Sequence, residues 1–267
     1  MSSVPDARVI LLPEGLSAAD VTGRVVVVFD VLRATSTATS ALAAGMSELR
    51  LYGSLDAARA GRRAAGRGVL LGEQHCLKPA DFDYGNSPGQ FAGRDEVRGA
   101  TGHMATTNGT TAVRAVFETG RPARLLLGSV LNRAAVAHAV AVELGRGGQE
   151  TARTGVTLLC AGTERRPSAE DVLGAGAVLE ALVSAQVLGG WDDLSSLAMA
   201  GWRGCLDLGR GDAAAWAGVW GSRGARNLVA AGLGADIAEA LRLDVVDVVA
   251  EAVRDGDDVV VRRWTTV

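Results

Sequence analysis

VVVVFDVLRATST, residues Val25 to Thr37, opens with a continuous apolar run that stops at Asp30 and gives way to an arginine and a series of small and hydroxyl-bearing residues. A run this short and β-branched predicts a strand buried on both faces, and Ala34 onward predicts the opening of a helix. Asp30 therefore falls at the carboxyl end of a strand. Thr35, Ser36 and Thr37, with Arg33 beside them, can present hydroxyls and unpaired backbone N–H groups at a helix N-terminus, where the helix dipole favours an anion. The stretch can thus hold a cation through Asp30 and an anion through the turn. The plainer reading is that the hydroxyls only cap the helix and that Asp30 is a solvated loop residue.

Outward from this stretch the same alternation continues. Short apolar runs occur at Val9–Leu12, Leu49–Tyr52, Val69–Leu71, Leu125–Leu127 and Val156–Cys160, separated by Ala-rich stretches of helical length at Thr37–Ala44, Leu55–Ala65, Gly109–Glu118 and Asn132–Leu144. Strands alternating with helices predict an α/β fold, a mostly parallel or mixed sheet covered on both faces in three α/β/α layers. After Ala169 the pattern turns helical, at Ala169–Val187 and Asn227–Leu241, with Trp191, Trp202, Trp216 and Trp220 between; Asp257–Trp264 returns to strand character. The chain reads as one domain over 1–267, or as two closely packed halves of about 1–165 and 166–267.

Composition narrows the function. A net charge of −3 and the lack of any Lys/Arg block give no footprint for nucleic acid. No apolar segment has the roughly 18 residues a membrane span needs, and the N-terminus has no signal pattern, so a cytoplasmic protein is expected. Cys76, Cys160 and Cys205 are odd in number and widely spaced, which argues for reduced thiols rather than a disulfide framework or a structural zinc site. Lys78 is the single lysine among 27 basic residues. The simplest cause is a coding bias towards Arg; the alternative is that Lys78, in its polar segment, does work that Arg would not.

Ligands of such sheets bind outside the carboxyl ends of the strands. Besides Asp30, four deliveries of polar groups fall there: Glu73 after Val69–Leu71; the loop Asp81–Pro88, DFDYGNSP, with Asn86 and Ser87; Thr107, Asn108, Gly109 and Thr110 at a second hydroxyl-rich helix start; and Cys160-Ala161-Gly162-Thr163, followed by Ser168-Ala169-Glu170-Asp171. Each has a structural alternative, and for Asp171 it is a capping box with Ser168. Carboxylates among neutral oxygen donors suit Mg²⁺, which keeps several waters and engages phosphate. His75, His103 and His138 have no metal-ligand spacing, which disfavours zinc.

The motifs DVLRATST, GE followed by a loop ending in FDYGNSP, TTNGT, CAG followed by ED, and SRGARNL at Ser222–Leu228 together resemble the 2-phosphosulfolactate phosphatase (ComB) family, in the family's order and across most of the chain. The resemblance implies a Mg²⁺-dependent acid phosphatase of α/β/α fold that converts 2-phosphosulfolactate to sulfolactate on a route to coenzyme M. The family has a glycine before FD where this chain has Ala80-Asp81. On this reading Asp30, Arg33 and Asn108 are catalytic. Asp30, Glu73 and Asp171 hold the metal. Thr35, Ser36, Thr37, Lys78, Asn86, Ser87, Thr107, Gly109, Thr110 and Arg226 bind a small anionic phosphate ester. A homo-oligomer is compatible with the sequence.

Three alternatives stand beside it. Cys160 and Arg166 have the C-x5-R spacing of cysteine-dependent phosphatases. Asp30 can serve as a phosphorylated nucleophile, although Leu32 stands where a second aspartate is expected. A non-enzymatic anion-binding protein would use the same helix starts without a metal.

Overall fold

The computed structural model describes residues 4–146, 155–209 and 217–266; Trp216 and the glycines at 147 and 148 lie outside them. The first part runs β1 (Asp6–Ile10), α1 (Ala18–Val21), β2 (Val25–Phe29), α2 (Ala34–Ala43), β3 (Glu48–Tyr52), α3 (Leu55–Ala65), β4 (Val69–Gly72), β5 (Thr101–Ala105), α4 (Gly109–Thr119), β6 (Arg124–Gly128), α5 (Arg133–Gly145) and β7 (Gly155–Cys160). It continues through α6 (Ala169–Ser184), β8 (Gly190–Trp191), α7 (Asp193–Gly209), α8 (Ala217–Trp220), α9 (Arg223–Ala230), α10 (Ala235–Ala240), β9 (Ala250–Asp255) and β10 (Asp258–Arg263).

The ten strands among the described residues form one sheet in the order β4-β5-β3-β10-β9-β6-β2-β7-β1-β8. β2 is buried at every position and pairs in parallel with β6 and β7, which is why its sequence does not alternate. Val25, Val27 and Phe29 face a core completed by α5, α6 and α7, whereas Val26 and Val28 face one completed by α2 and α4. These are the three layers that the alternating pattern predicts.

The sheet is mixed in a specific way. β4-β5-β3 and β6-β2-β7-β1-β8 are parallel blocks, and the C-terminal hairpin β9–β10 lies between them with three antiparallel pairings, β3–β10, β10–β9 and β9–β6. The two blocks therefore have opposite polarity. A twist of roughly 20–25° per neighbour, accumulated over the five steps from β2 to β5, exceeds about 90° and turns the carboxyl ends of the two blocks towards each other. Helix α4, which leaves β5, crosses to the other block, so that Gly109 at its start packs on Asp30 and Ala34.

Four elements depart from the sequence expectation. The helix expected over Asn227–Leu241 is two helices, because Gly232 adopts a left-handed φ of 76° and Leu233 N–H closes onto the Leu228 carbonyl, a Schellman-type stop. β5 and β9 were not expected as strands; TGHMA and AEAVRD lack an apolar run. β1 begins three residues before the expected Val9–Leu12.

Candidate active site

The ends of β2, β4, β5 and β7 deliver their loops to one cleft of about 140 Å³, whose far wall is helix α9. Asp30 is the most buried of the acidic groups that line the cleft. It is 6% exposed, its Oδ1 accepts the Ala34 N–H at 3.3 Å, and its Oδ2 faces Gly109, where a Cβ would lie 2.8 Å away. Only glycine lets α4 approach this closely. Burial, reinforced by the charges of Glu73 and Glu170, pushes the Asp30 carboxyl up to about 7, while the Ala34 N–H and Arg33 favour the anion. Asp30 is no solvated loop residue.

Glu73 ties the β4 and β5 loops together. Its Oε1 accepts the Thr107 N–H and hydroxyl, both at 2.8 Å, and its Oε2 accepts the Cys76 N–H at 2.9 Å. Three of about four lone-pair sites are thereby filled, and one remains for a ligand. Asp171 lies behind the cleft wall. Its two oxygens accept the Val31 and Gly162 N–H groups at 2.9 Å, which fixes the β2 and β7 loops relative to each other. Burial, with Glu170 and Asp30 close by, raises its carboxyl well above the ordinary range. It braces the site rather than lining it. Neither does it form a capping box with Ser168, whose hydroxyl donates to Thr163 instead.

The hydroxyls of the first helix start turn inward. Thr35 Oγ1 donates to the Asp30 carbonyl and accepts its N–H, and Ser36 Oγ donates to the Val31 carbonyl. Thr37 is fully buried. Thr110 Oγ1 likewise donates to the Thr106 carbonyl. Thr35, Ser36 and Thr110 close their own turns, because a Thr or Ser at a helix start can satisfy the preceding backbone as easily as a ligand; Thr37 Oγ1 is buried without a hydrogen-bond partner, and none of the four lines the cleft. Thr107 and Asn108 do line it, with the Thr107 hydroxyl proton engaged by Glu73.

Arg33 lies in the cleft wall, 3% exposed, with Nη1 on Asp236 at 2.5 Å and on Ser87 at 3.2 Å, and Nη2 on the Cys76 carbonyl at 2.6 Å. Its fork is partly engaged before any ligand arrives. The DFDYGNSP loop divides its labour: Asp81 pairs with Arg59, Asp83 accepts the Leu70 N–H, and Tyr84 bonds alongside β4, whereas Asn86 reaches the cleft. The Asn86 Oδ1 is buried there without a partner in the protein. Lys78 bonds the Phe82 carbonyl at 2.5 Å and closes this loop, and Arg226 bonds the Gly221 carbonyl; neither lines the cleft.

Several residues at the cleft or just behind it have no role assigned from the sequence. Glu170 is 1% exposed, packs against Gly224 and carries a buried Oε2 without a partner; burial raises its carboxyl, opposed by its own N–H and the Ser222 hydroxyl. Two tight turns flank the mouth, Gln74–Leu77 and Thr163–Arg166, each closed by reciprocal backbone hydrogen bonds. Their central residues, His75 and Cys76, and Glu164 and Arg165, all have positive φ, between 51° and 69°. Such turns favour Asn or Gly, and other residues there cost about 1–2 kcal/mol each. Helical phase was the usable signal on α9: positions 223, 224, 227 and 228 share one face, and Arg226 lies off it.

Cys160 is in the hydrophobic core of β7, not in the cleft, and burial, with Asp171 and Glu170 nearby, raises its thiol well above 9. A phosphatase thiolate needs the reverse. Arg166 is exposed on the outer turn. The C-x5-R spacing is thus coincidental here.

Among the described residues, no three or more His, Cys, Asp or Glu side chains assemble into a metal cage. Asp30 and Glu73, two oxygen ligands with a buried amide oxygen at Asn86, do fit Mg²⁺, which takes one or two carboxylates and fills its remaining positions with water and substrate oxygen. No helix among the described residues is long and apolar enough to cross a membrane.

A family described as 2-phosphosulpholactate phosphatase matches residues 10–255. A Deinococcus radiodurans protein named "probable 2-phosphosulfolactate phosphatase" is 35% identical over 238 residues, covering 88% of this chain and 90% of that protein. Proteins of the same name from Thermus thermophilus and Thermotoga petrophila are 41% and 38% identical over 158 and 160 residues, covering 59% and 60% of this chain and 61% and 63% of their own lengths.

Proposed function

The chain belongs to the 2-phosphosulpholactate phosphatase family, and we propose that its cleft hydrolyses 2-phosphosulfolactate to sulfolactate and phosphate, with Mg²⁺ held by Asp30 and Glu73. The observation that carries this reading is the convergence of a buried, raised-pKa Asp30 with Glu73, Asn86 and Asn108 in one small cleft at the carboxyl ends of the strands. A bound Mg²⁺ would polarise the phosphoryl group and offset the charge that Asp30 cannot carry alone at low dielectric.

The chain's own groups supply the rest. Glu73 fixes the two loops that flank the phosphoryl position through its bonds to Thr107 and Cys76. Arg33, anchored by Asp236, retains donors on Nε and Nη2 for an ester oxygen. Asn108 and Asn86 bring amides to the same space. Water attacks phosphorus, the bond between phosphorus and the ester oxygen on carbon 2 breaks, and that oxygen leaves as a hydroxyl with the proton the attacking water gives up.

The test is phosphate release from 2-phosphosulfolactate by the purified chain, in chelator and after Mg²⁺ is restored. Turnover that needs the cation supports the reading. Turnover indifferent to chelator removes the metal from it, and no release from this or related acidic esters removes the function.

A further inference from the structure

We propose that Arg223 and Asn227 form the subsite for the substrate's acidic tail, and that Glu164 is a resident carboxylate which the substrate's own carboxylate or sulfonate displaces. This rests on the reading that the cleft takes a small, multiply anionic phosphate ester.

The geometry is that of a carboxylate already bound. Arg223 Nη1 donates to Glu164 Oε2 at 2.9 Å, and Asn227 Nδ2 donates to Oε1 at 3.3 Å. The two donors stand one turn apart on the same face of α9, so they grip both oxygens of one anion. Glu164 and Asn227 both line the cleft, on the wall opposite the Asp30 loop. Between the donors, Gly224 lets α9 press against Glu170, since a Cβ there would lie 2.1 Å from Oε1.

Stability does not explain the arrangement. The side chains of Arg223 and Glu164 are 36% and 60% exposed, and an ion pair so open to water contributes little to folding. Glu164 meanwhile sits at φ 53° and Arg165 at φ 59°, a conformation that non-glycine residues resist. A strained turn that holds a weak ion pair inside a substrate cleft is better suited to exchange than to support.

Charge leads to the same place. Among the described cleft residues the carboxylates Asp30, Glu73 and Glu164 outnumber Arg33, whose guanidinium already faces Asp236. An ester that carries phosphate, carboxylate and sulfonate needs further cationic capacity. Arg223 provides it once Glu164 swings to solvent, and the exchange replaces one carboxylate contact with another, so the guanidinium is never left without a partner.

The experiment compares wild type, Glu164→Gln, Arg223→Gln and the double variant on 2-phospholactate and p-nitrophenyl phosphate, and measures sulfolactate binding to each by calorimetry. Arg223→Gln is expected to raise KM on phospholactate about 10–100-fold more than on the aryl phosphate, the loss of one charge-assisted contact. Glu164→Gln is expected to lower KM on phospholactate and tighten sulfolactate binding several-fold, and to do neither when Arg223 is absent. Equal losses on both esters in Arg223→Gln, or weaker sulfolactate binding in Glu164→Gln, overturn the proposal. If wild type hydrolyses neither these esters nor 2-phosphosulfolactate, the phosphatase reading fails and sulfolactate binding decides alone: the predicted order of affinities sustains the subsite, and no binding by wild type overturns it.

Discussion

Asp30→Asn is expected to move stability and activity in opposite directions. A carboxyl that keeps its proton to about pH 7, rather than to 3.8, bears a penalty on its ionised form of roughly 4 kcal/mol, at about 1.4 kcal/mol for each tenfold shift in proton affinity. Below about pH 4 the folded and unfolded chains both hold the proton, and the penalty is absent. Between about pH 4 and 7 the unfolded chain ionises and the folded one does not, so native stability falls as pH rises; above about 7 the full penalty is present. Asparagine has the same shape, can accept the Ala34 N–H through Oδ1, and has no charge to bury. In chelator, the variant should therefore exceed wild type by on the order of 2–4 kcal/mol above pH 7, and by little near pH 4. Urea unfolding across this range reads the difference directly. Added Mg²⁺ should restore stability to wild type and leave the variant unmoved, while phosphate release by the variant falls by about two orders of magnitude or more. A stability difference that is flat with pH, or near-wild-type turnover at limiting Mg²⁺, would refute the assignment of Asp30 as the cation's carboxylate.

Three further outcomes follow from the geometry. Cys160→Ala should retain most turnover at a stability cost of about 1 kcal/mol from lost packing, whereas chelator should abolish turnover; steady-state rates with and without chelator distinguish this from thiol chemistry. Gly109→Ala places a Cβ 2.5 Å from Ala34 Cβ and 2.8 Å from Asp30 Oδ2, so it should cost about 1–3 kcal/mol in unfolding and lower kcat by displacing Asp30. Arg33→Ala removes the partner of Asp236 and should lower stability by about 3–5 kcal/mol, with a greater loss of kcat/KM on phospholactate than on an aryl phosphate; equal losses would confine Arg33 to the transferred phosphoryl group or to the fold.

The parallel blocks were legible because their residues carry the physics locally. VVVVF and VTLLC are buried on both faces, and runs of that kind have few alternatives to a central strand. Helix α3 was equally plain: Ser54 caps it through the Ala57 N–H, and Gly66, at φ 68°, ends it. What no local pattern specified was the place of the C-terminal hairpin. Asp257–Trp264 reads as a strand at the end of the chain, yet it lies inside the sheet, where the hairpin pairs antiparallel with β3 on one edge and with β6 on the other. Pairing partners so distant in sequence leave no trace in the periodicity of either one.

The site was legible in its carboxylates and amides and misread in its hydroxyls, and the reason is directional. Asp30 and Glu73 end strands, and the chain direction alone puts them at the carboxyl edge of the sheet. A hydroxyl at a helix start has two ways to be satisfied, outward to a ligand or backward to a carbonyl, and Thr35, Ser36 and Thr110 take the second. Inward bonding is itself functional in effect, since Thr35 closes the Asp30 turn from both sides and so fixes the direction of the carboxylate. The same reasoning separates Glu170 from Asp171. Adjacent on α6, they point about 100° apart; Asp171 meets two backbone N–H groups, one on each oxygen, and Glu170 packs against a glycine with its Oε2 unpaired. What each of two neighbouring carboxylates meets was therefore decided by what the opposing loops present, a property of the assembled fold.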